Sequence, residues 1–221
     1  MRLYLDNINN AIKAKNRFLS LGKMKHLEME ACVMHYVIVI MGKSLSGKSY
    51  LQKELVKQGF PKMITATTRP KRQGEVDGQD YYFVDRMSKD AIAPRRYHVV
   101  NNQEWDYYLP KDEFIKISGT NRASTLILDL DGYLELEKAS QNMLNVKILG
   151  LYLNVPLKER LKCYLDTSRG QENGKEFVRR LYDDEMRAFN QLDDPKFCQE
   201  HHVMLMDKLN LIPEVFNDLS D

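Results

Sequence analysis

Apolar and polar residues fall in blocks along this chain. The first block that reads as buried is Tyr36-Val37-Ile38-Val39-Ile40-Met41, a short continuous apolar run typical of a parallel strand. Behind it Leu51, Leu55 and Val56 recur at helical spacing, which predicts a helix over about 47–58. A short strand is expected near 62–66, then a polar stretch rich in turns and tyrosine up to about residue 120. Thr125-Leu126-Ile127-Leu128-Asp129-Leu130 reads as a second buried strand that ends in acid, with a helix near 133–143 after it. The run from Val146 to Leu153 predicts another strand, and Pro156 opens a helix near 157–166, a position proline favours. Residues 167–175 are loop by composition. A long helix over about 176–192, a weak strand near 202–206 and a terminal helix complete the pattern. Strands alternating with helices imply an α/β fold, a parallel sheet flanked by helices on both faces.

Residues 1–34 precede the first core strand and carry Ile8, Ile12 and Phe18-Leu19 among Lys and Asn. They read as an N-terminal extension: an amphipathic helix lying on the domain, a poorly ordered leader, or an over-long start ahead of Met24 or Met34. Residues 35–221 are expected to form the functional domain. The extension holds six Lys/Arg against three Asp/Glu, while the whole chain carries only +2, so no basic stripe points to nucleic acid. Cys32, Cys163 and Cys198 form no paired motif and suit a reducing compartment. No apolar run reaches membrane-spanning length, and charge and Asn interrupt the first residues too early for a signal peptide. A cytoplasmic protein without membrane or nucleic-acid partners is expected, as a monomer or homodimer.

The chemistry begins directly after the first strand. Gly42-Lys43-Ser44-Leu45-Ser46-Gly47-Lys48-Ser49 fills the pattern G-x-x-x-x-G-K-[ST] between a strand and a helix. Its glycines let the backbone turn sharply around phosphate oxygens, and its N–H groups and the positive end of the following helix favour negative charge. These eight residues and the adjoining Tyr50 are the candidate ATP-binding set. Lys48 would reach the β/γ-phosphates and the Ser49 hydroxyl would sit on Mg²⁺, so ATP and Mg²⁺ are the expected cofactors.

A second constellation follows in Thr67-Thr68-Arg69-Pro70-Lys71-Arg72-Gln73-Gly74-Glu75-Val76-Asp77-Gly78-Gln79-Asp80-Tyr81-Tyr82-Phe83-Val84. Arg69 and Arg72 stand three apart with Tyr81 nine residues beyond. Two guanidinium forks and a phenol supply what a monophosphate ester needs, bidentate donors and an orienting hydroxyl. Read alone, the stretch is equally a solvated loop with a hairpin.

That stretch resembles the monophosphate-binding signature of guanylate kinases, T-T-R-x-x-R-x-G-E-x-x-G-x-D-Y-x-F-V, and it falls at the expected distance after the phosphate loop. The resemblance runs from residue 36 to about 218. It implies a P-loop kinase core, an inserted monophosphate-binding lobe (about 67–120) and a mobile lid (about 167–178). It implies that Arg69, Arg72 and Tyr81 hold the acceptor phosphate, with Tyr108 as a second phenol and Glu75 at the same site. In Leu128-Asp129-Leu130-Asp131-Gly132 it implies Asp129 near the metal and reacting phosphates, and Asp131 facing guanine. Arg169 and Arg180 have the family's eleven-residue lid spacing, and Arg160 precedes them at a longer interval than usual. Cations brought in by lid closure would stabilise charge on the transferring phosphoryl group. Thr65 stands where the family often has Ser.

The departures concern the base. Guanylate kinases place a carboxylate in the inserted lobe, but the corresponding stretch here is Ala93-Pro94-Arg95-Arg96-Tyr97-His98-Val99-Val100. GMP is the expected acceptor, with a narrower margin over other monophosphates. Two alternatives remain: a guanylate-kinase-like module that binds a phosphorylated peptide, and a kinase of a different monophosphate.

Overall fold

The computed structural model describes residues 34–72, 74–99, 103–121, 123–166 and 174–206. Strand β1 (His35–Gly42) lies between β6 (Ala123–Ile127) and β7 (Val146–Leu153), and β8 (Val203–Met206) adds outside β7, all parallel. The alternation along β1 divides the core in two. Val37, Val39 and Met41 face one cluster, with Tyr133 and Leu136 of α3 (Leu130–Ser140). Ile38 and Ile40 face the other, with Leu51 and Leu55 of α1 (Lys48–Lys57). A sheet buried on both faces needs such near-continuous apolar strands.

A second sheet is built from the polar, tyrosine-rich stretch. Its order is β3 (Tyr82–Phe83), β2 (Ala66–Thr67), β5 (Gln103–Pro110), β4 (Ala91–Val99). Strands β4 and β5 form an antiparallel hairpin, with a register shift between Ile92 and Arg95 where Ala93 takes a φ of 48°. Helix α2 (Lys111–Thr120) returns the chain to the first sheet, and α3 packs against β4. The start of α3 is therefore the point where the two sheets meet.

Three elements differ from expectation. Asp129 accepts a hydrogen bond from the Gly132 N–H (2.8 Å), so its cap starts α3 at Leu130 rather than near 133, and β6 ends at Ile127. Near 62–66, only Lys62 bridges Thr125 beside β6; the next strand, Ala66–Thr67, already belongs to the second sheet. The long helix expected to 192 stops as α5 (Gly174–Asp183) and gives way to a π turn (Asp184–Ala188) and a 3-10 turn (Asn190–Asp193). Helix α4 (Leu157–Asp166) follows Pro156 as anticipated, and α6 (Pro195–Glu200) precedes β8. The extension 1–34, all but its last residue, the lid loop up to residue 173 and the terminal helix lie outside the described residues.

The core carries several buried phenols. Burial, reinforced by the negative charge of Asp193, pushes the Tyr152 hydroxyl up to about 12. Burial and then Glu137 raise that of Tyr133 further. A raised phenol stays protonated in the fold, whereas the unfolded chain loses that proton near pH 10. The stabilisation is complete below pH 10 and is lost as pH climbs through 10 towards 12. The thermal midpoint should hold to about pH 9 and fall steeply above about pH 10. Melts followed together with tyrosinate absorbance test this, and an unchanged midpoint at about pH 11 would rule out protonated buried phenols.

Candidate active site

The chain leaves β1 at Gly42, where an added Cβ would sit 2.5 Å from Ser46 Oγ and 3.1 Å from the Leu153 carbonyl oxygen. At the other end of the loop, Gly47 opens α1 from the left-handed region (φ 91°, ψ 13°) that side chains disfavour. Between them Leu45 also has positive φ, at 67°, and Ser46 is fully buried. These turns wrap the loop over itself. Lys48 Nζ folds back to donate to the Gly42 carbonyl (2.7 Å) and the Lys43 carbonyl (2.9 Å), which places the ammonium over the cradle. Ser49 and Tyr50 lie exposed in the first turn of α1.

The cradle already holds an anion. The Ser44 N–H donates to Asp184 Oδ2 at 2.6 Å, from the π turn. The neighbouring Glu185 takes Lys43 Nζ on one oxygen (2.8 Å) and Arg160 Nη2 on the other. Burial alone would raise the Glu185 carboxyl, but the Lys43 hydrogen bond and the charges of Lys43 and Arg160 hold it below the usual range. Arg160 is fully buried beneath the loop, where its Nε donates to the Val155 carbonyl and its Nη1 to the Ser44 carbonyl, both at 3.1 Å.

Across the cleft stand the residues expected to hold the acceptor phosphate. Arg69 is 4% exposed, and its guanidinium donates to Tyr107 Oη (3.2 Å), the Pro70 carbonyl (2.7 Å) and Glu75 Oε1 (2.7 Å). The other oxygen of Glu75 accepts from the Arg72 N–H at 2.7 Å, so one carboxylate ties the two arginines together. Burial works to raise the Glu75 carboxyl; the Arg69 and Arg72 contacts outweigh it and hold it low. The Arg69 guanidinium lies 5.5 Å from the centroid of the Tyr81 ring and 5.6 Å from that of Phe83. Burial raises the Tyr81 phenol, which therefore remains a donor. Thr65, Arg72 and the buried Tyr108 line the same cleft.

The acids close the third side. Asp129 caps α3 with one oxygen and accepts the Tyr97 hydroxyl with the other. Burial and then the Asp129 charge raise the Tyr97 phenol far above its ordinary value. Asp131, 63% exposed at its side chain, is paired with Arg95. The cleft between these walls encloses about 330 Å³ and takes in Gly42, Ser44 and Lys48 on one side and Arg69, Tyr81 and Asp129 on the others. Arg169 lies outside the described residues, and Arg180 belongs to α5 with its side chain outside them. Arg179, one residue earlier, does line the cleft and pairs with Asp183 at 2.6 Å.

Sequence reasoning missed Tyr107, Tyr97, Asp184, Glu185 and Arg179. Adjacent tyrosines on β5 are equivalent until the strand's phase is known, and the two acids meet the loop across more than a hundred residues. No group of three or more His, Cys, Asp or Glu could hold a metal among the described residues. No helix among them is long and apolar enough to cross a membrane.

Comparison with known proteins gives a consistent answer. The guanylate kinase family model matches residues 34–197. A guanylate kinase of Rhodopseudomonas palustris (strain BisB5) is 30% identical over 166 residues, 71% of this chain and 72% of that protein. One from strain HaA2 is 49% identical over 59 residues, which span only 26% of this chain and 27% of the relative. One from Rickettsia prowazekii (strain Madrid E) is 31% identical over 131 residues, covering 57% of this chain and 66% of the relative. Among solved structures, the guanylate kinase from Anaplasma phagocytophilum shares the fold, with a TM-score of 0.51 at 18% identity, covering 85% of this chain and 84% of that one. Because the family match begins at the first core strand and runs into α6, it takes in the second sheet, every strand of the first but β8, and every wall of the cleft, and this chain belongs to the guanylate kinase family.

Proposed function

We propose that the protein transfers the γ-phosphoryl group of ATP to GMP, releasing ADP and GDP. The observation that carries this is the meeting of two anion sites on one cleft: the Lys48 cradle and the anchor in which Glu75 joins the buried Arg69 to Arg72. Phosphoryl transfer requires little covalent chemistry from the protein, so two phosphates brought together among fixed donors account for most of the rate. Lys48 and the loop N–H groups bind the donor's phosphates; a phosphate oxygen at the Ser44 N–H takes the place of the Asp184 carboxylate. Arg69, Arg72 and Tyr81 fix the acceptor phosphate, with Thr65, Glu75 and Tyr108 around it. Arg160 holds the loop from beneath. Arg169 acts from a lid over about 167–178 and Arg180 from the helix that follows it, and the acceptor lobe spans about 67–120.

The donor set fits Mg²⁺. Ser49 offers a hard oxygen at the cradle's rim and Asp129 a carboxylate on the cleft wall, the sparse protein ligation of an ion held mainly by phosphates and water. When bound, Mg²⁺ supplies charge neutralisation between the phosphates. The cytoplasm suits these substrates and the dispersed cysteines.

A coupled ADP-release assay across GMP, dGMP, IMP, AMP, UMP and dTMP tests the assignment. GMP should give the highest kcat/KM. ATP binding without turnover of any monophosphate would reject the kinase reading in favour of a phosphopeptide-binding module.

A further inference from the structure

One wall of the acceptor cleft carries a cation where the guanylate kinase pattern expects an acid. The β4 irregularity between Ile92 and Arg95 turns the strand locally, as bulges do, and Arg95 and Tyr97, two apart, then share the face towards the start of α3. Arg95 donates through Nη2 to Asp131 Oδ2, and its Nε lies 3.8 Å from Asp129 Oδ1. That Nε is buried without a hydrogen-bond partner, while Arg95 as a whole lines the cleft. Edge-packed rings lead to it from the phosphate anchor: Tyr81 to Tyr107 at 5.9 Å and Tyr107 to Tyr97 at 5.2 Å between centroids. With the acceptor phosphate on Arg69 beside Tyr81, these rings mark a path along which the rest of the nucleotide would extend and bring its base to Arg95.

We propose that Arg95 reads the base, and that it selects 6-oxopurine monophosphates as a class rather than guanine alone. This rests on the kinase reading above. A guanidinium has five donors and no acceptor, so it rewards base edges that accept. Guanine and hypoxanthine both offer O6 and N7 as acceptors, whereas adenine places a donating N6 amino group beside N7. Arg95 therefore favours GMP and IMP alike and opposes AMP. The guanine 2-amino group needs a carboxylate partner, and the acid at hand, Asp131, is already engaged by Arg95.

The test compares kcat/KM for GMP, IMP and AMP in the native protein, Arg95→Gln and Arg95→Met, with thermal midpoints recorded. For the native protein GMP and IMP should lie within about tenfold, and AMP about a hundredfold lower. Glutamine pairs bidentately with adenine N6 and N7. Arg95→Gln should therefore raise kcat/KM for AMP while lowering it for GMP and IMP about tenfold or more, mainly through KM. Arg95→Met should lower GMP and IMP together and raise AMP modestly, since the donors that oppose its amino group are gone. A gain towards AMP cannot come from a damaged fold. Equal losses for all three nucleotides, or an unchanged GMP to AMP ratio in both variants, would overturn the inference while leaving the kinase reading intact. A native protein that turns over none of the three overturns both.

Discussion

Lys48→Ala is expected to lower kcat about a thousandfold while the fold and much of the ATP affinity survive. The ammonium is held over the cradle by the Gly42 and Lys43 carbonyls, so its position is set before any nucleotide arrives. A charge fixed in advance contributes most where negative charge shifts during transfer, and this is a transition-state effect. A thousandfold corresponds to roughly 4 kcal/mol of barrier, more than one neutral hydrogen bond supplies. The substitution also removes a donor from two carbonyls, at a cost of about 1–3 kcal/mol to stability. Steady-state kinetics with ATP binding and a thermal melt separate the two effects. A variant with native kcat and only a higher KM would reduce Lys48 to a binding group.

Arg160→Met is expected to give the largest loss of stability among the site residues, about 3 kcal/mol. The guanidinium is fully buried and serves the Val155 carbonyl, the Ser44 carbonyl and Glu185. Methionine fills similar volume but leaves both carbonyls without this donor, each at about 1–3 kcal/mol. Glu185 adds little to the loss, because it is one-third exposed and keeps Lys43. For a domain of this size the thermal midpoint should drop by roughly 6–12 °C. The KM for ATP should rise as well, since Ser44 loses its support from beneath. A drop under about 2 °C would mean that water replaces the guanidinium without loss.

Much of this site was legible because its chemistry is written in short range. The phosphate loop and the Arg69–Tyr81 stretch keep their spacing whatever surrounds them, and the apolar run of β1 announces a strand buried on both faces. The start of α3 was harder to read: Asp129-Leu130-Asp131-Gly132 has no apolar periodicity, and the Asp129 cap that begins the helix shows only in three dimensions. The end of α5 was illegible for another reason. Tyr182-Asp183-Asp184-Glu185-Met186 has ordinary helical propensity, and the departure to a π turn goes with partners far away in sequence: Ser44 for Asp184, Lys43 and Arg160 for Glu185. Glu75 was expected at the acceptor site, yet its clasp on both arginines needed a turn that spacing does not encode.

With the donor's phosphates on the phosphate loop, as proposed, the carboxylate seated on the Ser44 N–H would make donor binding an exchange rather than a filling. One amide cannot hold Asp184 and a phosphate oxygen in the same geometry, so each arriving nucleotide evicts an internal rival, and the measured affinity is the difference between the two. The evicted residue directly follows α5, the helix that carries Arg179 and Arg180. Reciprocity then binds the two ends: by whatever factor the nucleotide shifts that helix end, a shift of the helix end alters nucleotide affinity by the same factor. Traffic in the donor pocket and the position of this helix end would then be one equilibrium seen from two sides.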